Sequence, residues 1–196
     1  PKLIIGKVRN QAYSWRVYHE SIGNGNTLIL SGTNASSATN AWGDTNPTSS
    51  VFTAGRGADD NMNFGSGDTI VAYCFAEKQG YSKFGSYTGN GNADGAFVYT
   101  GFKPAFLILK NTADIADWTV WDTTRYPTNP QNIQLYPNLN NAEDTPSAST
   151  IIDFLSNGFK LRGTNNKVNG SSDSIIYMAF AEHPFVSSTG TPTTAR

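Results

Sequence analysis

The chain has 196 residues, a formal net charge of −1 and 15% charged residues, against about 25% in a typical globular protein. This balance gives no basic surface of the kind that binds nucleic acids or anionic membranes. No apolar run reaches the roughly 18 residues that span a membrane, and no signal peptide is visible. We therefore expect neither nucleic-acid binding nor membrane insertion.

Strand signals follow one another along the whole chain, starting with the apolar residues 3–5. Residues 15–19 and 118–122 alternate between apolar and polar side chains, as a half-buried strand does. Further short runs are bounded by Gly, Asn, Ser or Pro, namely residues 27–30, 51–53, 151–155 and 158–161. Nowhere do apolar residues keep a period near 3.6 over three turns, so the sequence predicts an all-β protein.

Two strand-like runs, residues 70–76 and 175–181, are apolar on both faces. A strand that is buried on both faces lies at the centre of its sheet, which predicts this place for both runs. Cys74, the single cysteine, lies in the first run, so we expect a small buried thiol; one cysteine allows no intrachain disulfide. We expect Phe180, in the second run, to be a core residue as well.

Residues 82–103 predict a connecting hairpin, because residues 86–88 and 96–100 flank a tip rich in Gly and Asn. Within that tip, Asn90, Asn92 and Asp94 are spaced like the first half of a calcium loop. The closing glutamate is absent, and Gly101 stands at the twelfth place. A hairpin tip is the preferred interpretation, calcium binding is the alternative, and no other cofactor is expected.

The chain repeats itself. The four residues Pro1, Lys7, Trp15 and Val17 recur 103 positions later, as Pro104, Lys110, Trp118 and Val120. Leu28 recurs as Leu135 at an offset of 107, and residues 68–77 resemble residues 173–182 at an offset of 105. We predict a duplicated antiparallel β-sandwich, lectin-like or jelly-roll-like, with two pseudo-equivalent repeats. The repeats are residues 1–81 and 104–186, joined by the hairpin at 82–103 and followed by a loose tail at 187–196.

The second repeat is preceded by the run FVYTGFK, residues 97–103, for which the first repeat has no counterpart. We therefore expect the sequence to be part of a longer chain. Trp15 and Trp118 are repeat equivalents on alternating strands and are expected in the core.

Candidate contact residues are aromatic side chains in polar loops. Trp42 lies in such a loop without an aromatic repeat equivalent, and it is the first candidate for an exposed ligand contact. Tyr126 and Tyr136, in or near a proline-rich loop, are the next. Two histidines, His19 and His183, are too few and too far apart for a zinc site. Glu77 and Glu182 are repeat equivalents, which favours a shared structural role over catalysis.

Four segments together resemble a family: FGSYTGNG at 84–91, FVYTGFKP at 97–104, DFLSNGFKLR at 153–162 and YMAFAE at 177–182. They look like a domain of unknown function found in structural and tail-fibre-like proteins of tailed phages, especially aquatic and marine ones. The resemblance covers nearly the whole chain and brings no catalytic residues. It implies an extracellular virion component.

The resulting hypothesis is a non-enzymatic virion module, in a tail fibre, tail or capsid surface, that binds a host glycan or other virion proteins. The resemblance implies a homo-oligomer, with a trimer favoured. Two alternatives stay open: a carbohydrate-binding module of a secreted bacterial protein, and a fragment of a glycan-degrading tailspike. A tailspike would need two carboxylates facing each other across a cleft.

Overall fold

The computed structural model describes residues 1–55, 62–63, 65–143 and 149–183. The chain divides into two compact units, Pro1–Ala76 (unit 1) and Glu77–Arg196 (unit 2). Both consist of antiparallel strands, and the described residues contain a single short α-helix, Asn166–Asn169 (α1). No helix in these ranges is long and apolar enough to cross a membrane. The all-β prediction is confirmed, while the predicted tail at 187–196 lies outside the described residues.

Unit 1 is a five-stranded sheet in the order β4-β3-β2-β1-β5. Its strands are Leu3–Val8 (β1), Arg16–His19 (β2), Asn26–Ile29 (β3), Ser37–Ala38 (β4) and Ile70–Phe75 (β5). A 3-10 turn, Glu20–Ile22, leads from β2 towards β3. It begins where the Nδ1 atom of His19 accepts a hydrogen bond from the backbone N–H of Ser21 at 3.1 Å. It ends at Gly23, whose φ of 76° suits glycine.

One face of the unit 1 sheet is covered by the long connection between β4 and β5. Ile4 and Tyr18 of the sheet are buried together with Trp42 and Met62 of that connection. The rings of Trp42 and Tyr18 meet edge to face, with centroids 5.7 Å apart. A loop therefore supplies half of this core.

Residues 51–53 do not form the predicted strand. The backbone there is engaged locally instead: Thr48 N–H donates to the carbonyl of Val51 at 2.8 Å, and Val51 N–H donates to the Thr48 hydroxyl at 3.1 Å. A side-chain hydroxyl that satisfies the backbone in this way competes with strand pairing.

Unit 2 contains a four-stranded sheet, β6-β12-β8-β9, and a three-stranded sheet, β10-β11-β7. The strands of the larger sheet are Ser82–Thr88 (β6), Pro104–Asn111 (β8), Thr119–Asp122 (β9) and Ser174–Ala181 (β12). Those of the smaller sheet are Phe97–Tyr99 (β7), Ile152–Leu155 (β10) and Gly158–Leu161 (β11).

The two sheets of unit 2 pack face to face over one core. The larger sheet contributes alternate residues, among them Leu107, Leu109, Trp121, Ile175, Tyr177 and Ala179. The smaller sheet contributes Val98, Ile152, Phe154, Phe159 and Leu161. Phe159 is fully buried, and its ring meets the rings of Tyr177 and Tyr87 edge to face at 5.6 and 5.9 Å. Unit 2 is thus a two-layer sandwich.

Central burial is confirmed for β12 and wrong for β5. The strand β12 lies between β6 and β8, and residues 175–179 are buried. The strand β5 is at the edge of its sheet, with Tyr73 53% exposed and the Cys74 thiol exposed. The predicted burial of Cys74 is therefore corrected, because an edge strand lacks the second neighbour that would cover it. Phe180, near the end of β12, is half-buried rather than fully buried.

The predicted hairpin at 82–103 is also wrong. Its two strands belong to different sheets: β6 pairs with β12 over seven residue pairs, and β7 pairs with β11. The Gly/Asn segment between them passes from one layer of the sandwich to the other. The partners of both strands come from residues 158–180, far away in sequence.

The same pairings recur in both units. Leu3 pairs with His19 and with Phe75 in unit 1, and Phe106 pairs with Asp122 and with Phe180 in unit 2. Adding 103 to the numbers of β1 and β2, and 105 to those of β5, converts every β1–β2 and β1–β5 pair into a unit 2 pair. Val17 pairs with Leu28, as Val120 does with Leu135. The duplication stays a prediction, which these registers support.

Candidate functional site

A surface pocket of about 340 Å³ lies in unit 2, between the turn that precedes β6 and the segment that follows β7. The first wall includes Glu77, Lys78 and Lys83, and the second is formed by residues 99–102. Pockets of this size suit a small polar or amphipathic ligand. None of its lining residues was predicted as a ligand contact; Glu77 was singled out only as a repeat equivalent with an expected structural role.

The first wall is a tight turn. Lys78 and Ser82 are bridged antiparallel, with the Lys78 N–H donating to the Ser82 carbonyl at 3.1 Å and the Ser82 N–H donating to the Lys78 carbonyl at 2.9 Å. Gly80, with φ of 71°, adopts the left-handed conformation that closes the turn. The turn brings Glu77 and Lys83 together in the pocket lining.

The second wall is anchored to the β10–β11 turn. The N–H groups of Thr100 and Gly101 both donate to the carbonyl of Asn157, at 2.9 and 3.2 Å. The Thr100 hydroxyl donates to the carbonyl of Phe102 at 2.6 Å, and the Phe102 side chain is buried in the sandwich core. Tyr99, at the end of β7, is 62% exposed. An aromatic ring is thereby presented to solvent by a fixed backbone.

An ion pair lies at the pocket. The Lys83 Nζ donates to a carboxylate oxygen of Glu77 at 3.2 Å, and both side chains are about one-third exposed. A carboxylate offers about four lone-pair sites and an ammonium three donors. One mutual bond therefore leaves both groups able to bind a ligand's polar atoms. Burial, and then the negative charge of Glu77, raises the pKa of the neighbouring Tyr177 to about 12.

The arrangement suits binding by stacking and hydrogen bonding. Tyr99 offers a flat apolar face, while Glu77 and Lys83 offer an acceptor and a donor beside it. The described lining contributes one carboxylate, Glu77. Hydrolysis of a glycosidic bond by the usual route takes two carboxylates, one on each side of that bond.

Trp42 is not an exposed contact. Its side chain is 1% exposed and lies in the core of unit 1 against Tyr18, so the predicted exposure is corrected. The physical reason is that one face of the unit 1 sheet is covered by a loop, which has to supply large apolar side chains. Its indole N–H is buried and has no hydrogen-bond partner among the described residues.

Tyr126 and Tyr136 lie half-buried in unit 2, outside the pocket lining. The carbonyl of Tyr126 accepts a hydrogen bond from the Gln131 side chain. The Lys167 Nζ lies 4.6 Å from the centre of the Tyr136 ring and 2.8 Å from the Asp117 carboxylate. Both tyrosines are thus in contact with other protein groups, and their predicted role as ligand contacts stays a prediction.

The candidate calcium ligands are engaged with protein groups. The side-chain oxygens of Asn90 and Asn92 accept the backbone N–H groups of Asn92 and Asp94, each at 3.0 Å. Asn169 donates its side-chain amide to Asn90 Oδ1 at 3.1 Å and to the Asn92 carbonyl at 2.8 Å. Lys160 lies 2.8 Å from the Asp94 carboxylate, whose pKa its hydrogen bond and charge lower. The segment forms consecutive Asx turns, and calcium binding stays a prediction.

Within the described ranges, no group of three or more His, Cys, Asp or Glu side chains could share a metal ion. His19 is buried in β2, and His183 is exposed at the end of the described chain. The two glutamates predicted to be repeat equivalents each pair with a lysine, Glu77 with Lys83 and Glu182 with Lys103. The two lysines do not correspond at the repeat offsets, so the ion pairs do not test the equivalence.

Comparison with curated proteins and with solved structures finds no match. A family model does match, over residues 1–184, and it describes a domain of unknown function, DUF7483. Because this match spans both units of the fold, the chain belongs to the DUF7483 family.

Proposed function

We propose that the chain is a non-enzymatic binding module whose ligand is a glycan, held in the unit 2 pocket beside Tyr99. The observation that carries the proposal is the exposed Tyr99 ring next to the Glu77–Lys83 pair in one pocket of about 340 Å³. The apolar C–H face of a sugar ring stacks on an aromatic ring, and its hydroxyl groups bind charged side chains.

The fixed backbone of both pocket walls favours a binding site over an incidental surface depression. Both walls are fixed by backbone hydrogen bonds, to Ser82 in one case and to Asn157 in the other. Sites on loops that a rigid scaffold positions are common among binding proteins. One carboxylate in the lining favours binding over the hydrolysis expected of a tailspike fragment.

We further propose that the two units arose by duplication and that the module belongs to a virion. Matching registers in the two units support the duplication. The virion assignment, as an extracellular tail, fibre or capsid-surface component, is supported by the sequence resemblance to tailed-phage structural proteins. The neighbouring genes should then encode virion proteins. A neighbouring gene that encodes a secreted bacterial hydrolase would favour the carbohydrate-binding module instead.

The experiment for the glycan proposal uses the full 196-residue chain on an oligosaccharide array, followed by calorimetric titration of the strongest binders. Tyr99→Ala should weaken binding at least about tenfold, because stacking on the ring is lost. Tyr73→Ala, which removes an exposed tyrosine outside the pocket lining, is the matched control and should bind as the parent does.

Glu77→Gln is a second single variant. Loss of affinity in both Glu77→Gln and Tyr99→Ala would locate the ligand in this pocket. Unchanged affinity in both variants would show that the oligosaccharide binds outside this pocket. Release of new reducing ends from the bound oligosaccharide would replace the binding module by the enzyme alternative.

A further inference from the structure

The edge strand β5 of unit 1 presents an open row of backbone hydrogen-bonding groups. On one side it pairs with β1, and the described residues place no strand on its other side. The carbonyls of Thr69 and Phe75 accept hydrogen bonds from the β1 side, at 2.7 Å each. Backbone groups point to alternate sides along an antiparallel strand. The N–H and C=O groups of Ile70, Ala72 and Cys74 therefore point away from β1.

The sequence of β5 contains none of the usual features that prevent an edge strand from pairing with another strand. Exposed sheet edges usually carry charges, proline or a bulge that prevents pairing with another chain. The six residues of β5, Ile-Val-Ala-Tyr-Cys-Phe, include neither a charge nor a proline, and their pairing with β1 runs without a register shift. Tyr73 and Cys74 are exposed on this strand.

Unit 2 shows what occupies the corresponding edge. The strand β12 pairs with β8 in the register in which β5 pairs with β1. On its other side β12 carries β6, antiparallel, over seven residue pairs. Ala181 N–H donates to the Tyr81 carbonyl and Gly89 N–H to the Asp173 carbonyl, both at 2.9 Å. The side that is open in β5 is thus filled in β12.

We propose that the open edge of β5 binds one extended strand of another polypeptide, antiparallel, in the register that β6 adopts on β12. This is strand addition, in which backbone hydrogen bonds provide affinity and side-chain pockets provide specificity. The bound strand continues the unit 1 sheet past β5.

Side-chain size defines the strand that fits. In unit 2, Gly85 lies opposite Tyr177, and a Cβ added to Gly85 would come within 2.8 Å of the Tyr177 hydroxyl. In unit 1 the position of Tyr177 is taken by Ala72, which packs against the cluster of Trp42 and Met62. The incoming strand therefore carries an apolar residue larger than glycine opposite Ala72, where it extends that cluster.

The test uses synthetic peptides and the whole chain. The first peptide copies residues 81–89, and the second is identical except for leucine in place of Gly85. The leucine peptide should bind the chain one to one, in fluorescence anisotropy, at least about threefold more tightly than the copy. It cannot replace β6 in unit 2, because a side chain at that position collides with Tyr177.

N-methylated peptides give the matched control without altering the protein. In unit 2 the backbone groups of Tyr81 and Gly89 face β12, so those of Lys83 and Tyr87 face it too. Methyl groups on the amides at the Lys83 and Tyr87 positions should weaken binding at least about tenfold, and those at the Phe84 and Ser86 positions should not. Ala72→Pro in the chain, which removes an N–H pointing away from β1, should have the same effect as the blocking methyl groups.

Three results would overturn the proposal. One is the absence of saturable binding of the leucine peptide at millimolar concentration. Another is equal weakening by both methylation patterns. The last is a chain that forms dimers in dilute solution which Ala72→Pro dissolves, since a second copy of β5 would then fill the edge. None of these outcomes bears on the glycan pocket, which lies in unit 2.

Discussion

β5 and β12 have similar sequences and the same register on their neighbour, but their surroundings differ. At an offset of 105, Ile70 and Phe75 are identical to Ile175 and Phe180. The pairing of β5 with β1 has the same register as that of β12 with β8. Yet β12 is buried between two strands, whereas β5 forms an edge with Tyr73 and Cys74 exposed. An apolar strand sequence therefore shows that a strand can be buried. Whether it is buried depends on the strands and loops that pack around it.

The cover of the sheet differs between the units as well. In unit 2 a second sheet packs over Leu107, Trp121 and Tyr177. In unit 1 the equivalent face, with Ile4 and Tyr18, is covered by Trp42 and Met62 of a long connection. A few side chains of one connection therefore cover in unit 1 the face that a whole sheet covers in unit 2.

The largest expected effect comes from placing a charge at the matched positions Ala179 and Cys74. Ala179 is fully buried in the sandwich core, so Ala179→Asp should cost more than about 4 kcal/mol in free energy of unfolding. Cys74→Asp adds the same carboxylate at an exposed edge position and should cost less than about 0.5 kcal/mol. Urea denaturation followed by circular dichroism measures both, and equal losses would abolish the contrast between centre and edge.

The second prediction concerns the loop that covers unit 1. Trp42→Ala should lower the free energy of unfolding by about 3–5 kcal/mol, since it empties the space over Tyr18. Trp42→Phe keeps a ring there and should cost less than half as much. A midpoint of urea unfolding that hardly moves in Trp42→Ala would mean that the loop is not part of the core.

The third prediction uses a lysine at equivalent places in the two sheets. Lys7 is half-buried, and its Nζ donates to the Tyr13 carbonyl at 2.6 Å. Lys110 is fully buried, donates to the Asn111 carbonyl at 2.7 Å, and its pKa is lowered to about 8 by burial, against the opposing charges of Asp117 and Asp114. Compared with the unfolded chain, the folded chain therefore loses the proton of Lys110 at a lower pH.

It follows that the unfolded chain binds more protons than the folded one between about pH 8 and pH 10.5. The contribution of Lys110 to stability should rise with pH across that window, by at most about 1.4 kcal/mol per pH unit. Tyr177 and Tyr87, whose pKa values burial raises, act in the opposite direction above about pH 10. Urea unfolding from about pH 7 to 9.5 should thus show a slope that Lys110→Met lacks; equal slopes in both proteins would contradict the assignment.

The sequence predicted the local features well. Alternation located β2 and β9, a short bounded run located β11, and the offsets of 103 and 105 anticipated the shared registers. These features depend on side chains a few residues apart or on direct internal comparison. The sandwich could be predicted because every apolar run was short and none had a helical period.

Features that depend on distant partners were missed. The pairing of β6 with β12 and of β7 with β11 joins segments far apart in sequence, whereas the glycine-rich tip between them suggested a hairpin. Trp42 was expected to be exposed because its sequence neighbours are polar. It is buried because the apolar face of the unit 1 sheet has no second sheet to cover it and is covered by this loop. The pocket had weak signals: glycines at 80 and 101, where turns need positive φ, and an aromatic Tyr99 before one of them.

The most direct test of the contrast between edge and centre is amide hydrogen exchange of the native chain, read residue by residue by nuclear magnetic resonance in dilute solution. The amides of Ile70, Ala72 and Cys74 should exchange at least roughly a hundredfold faster than those of Ile175, Tyr177 and Ala179, their counterparts in β12. Within β5, Val71 and Tyr73, which bond to β1, should stay protected. Equal protection of the two sets of counterparts would show that β5 has a second strand beside it and would contradict the account.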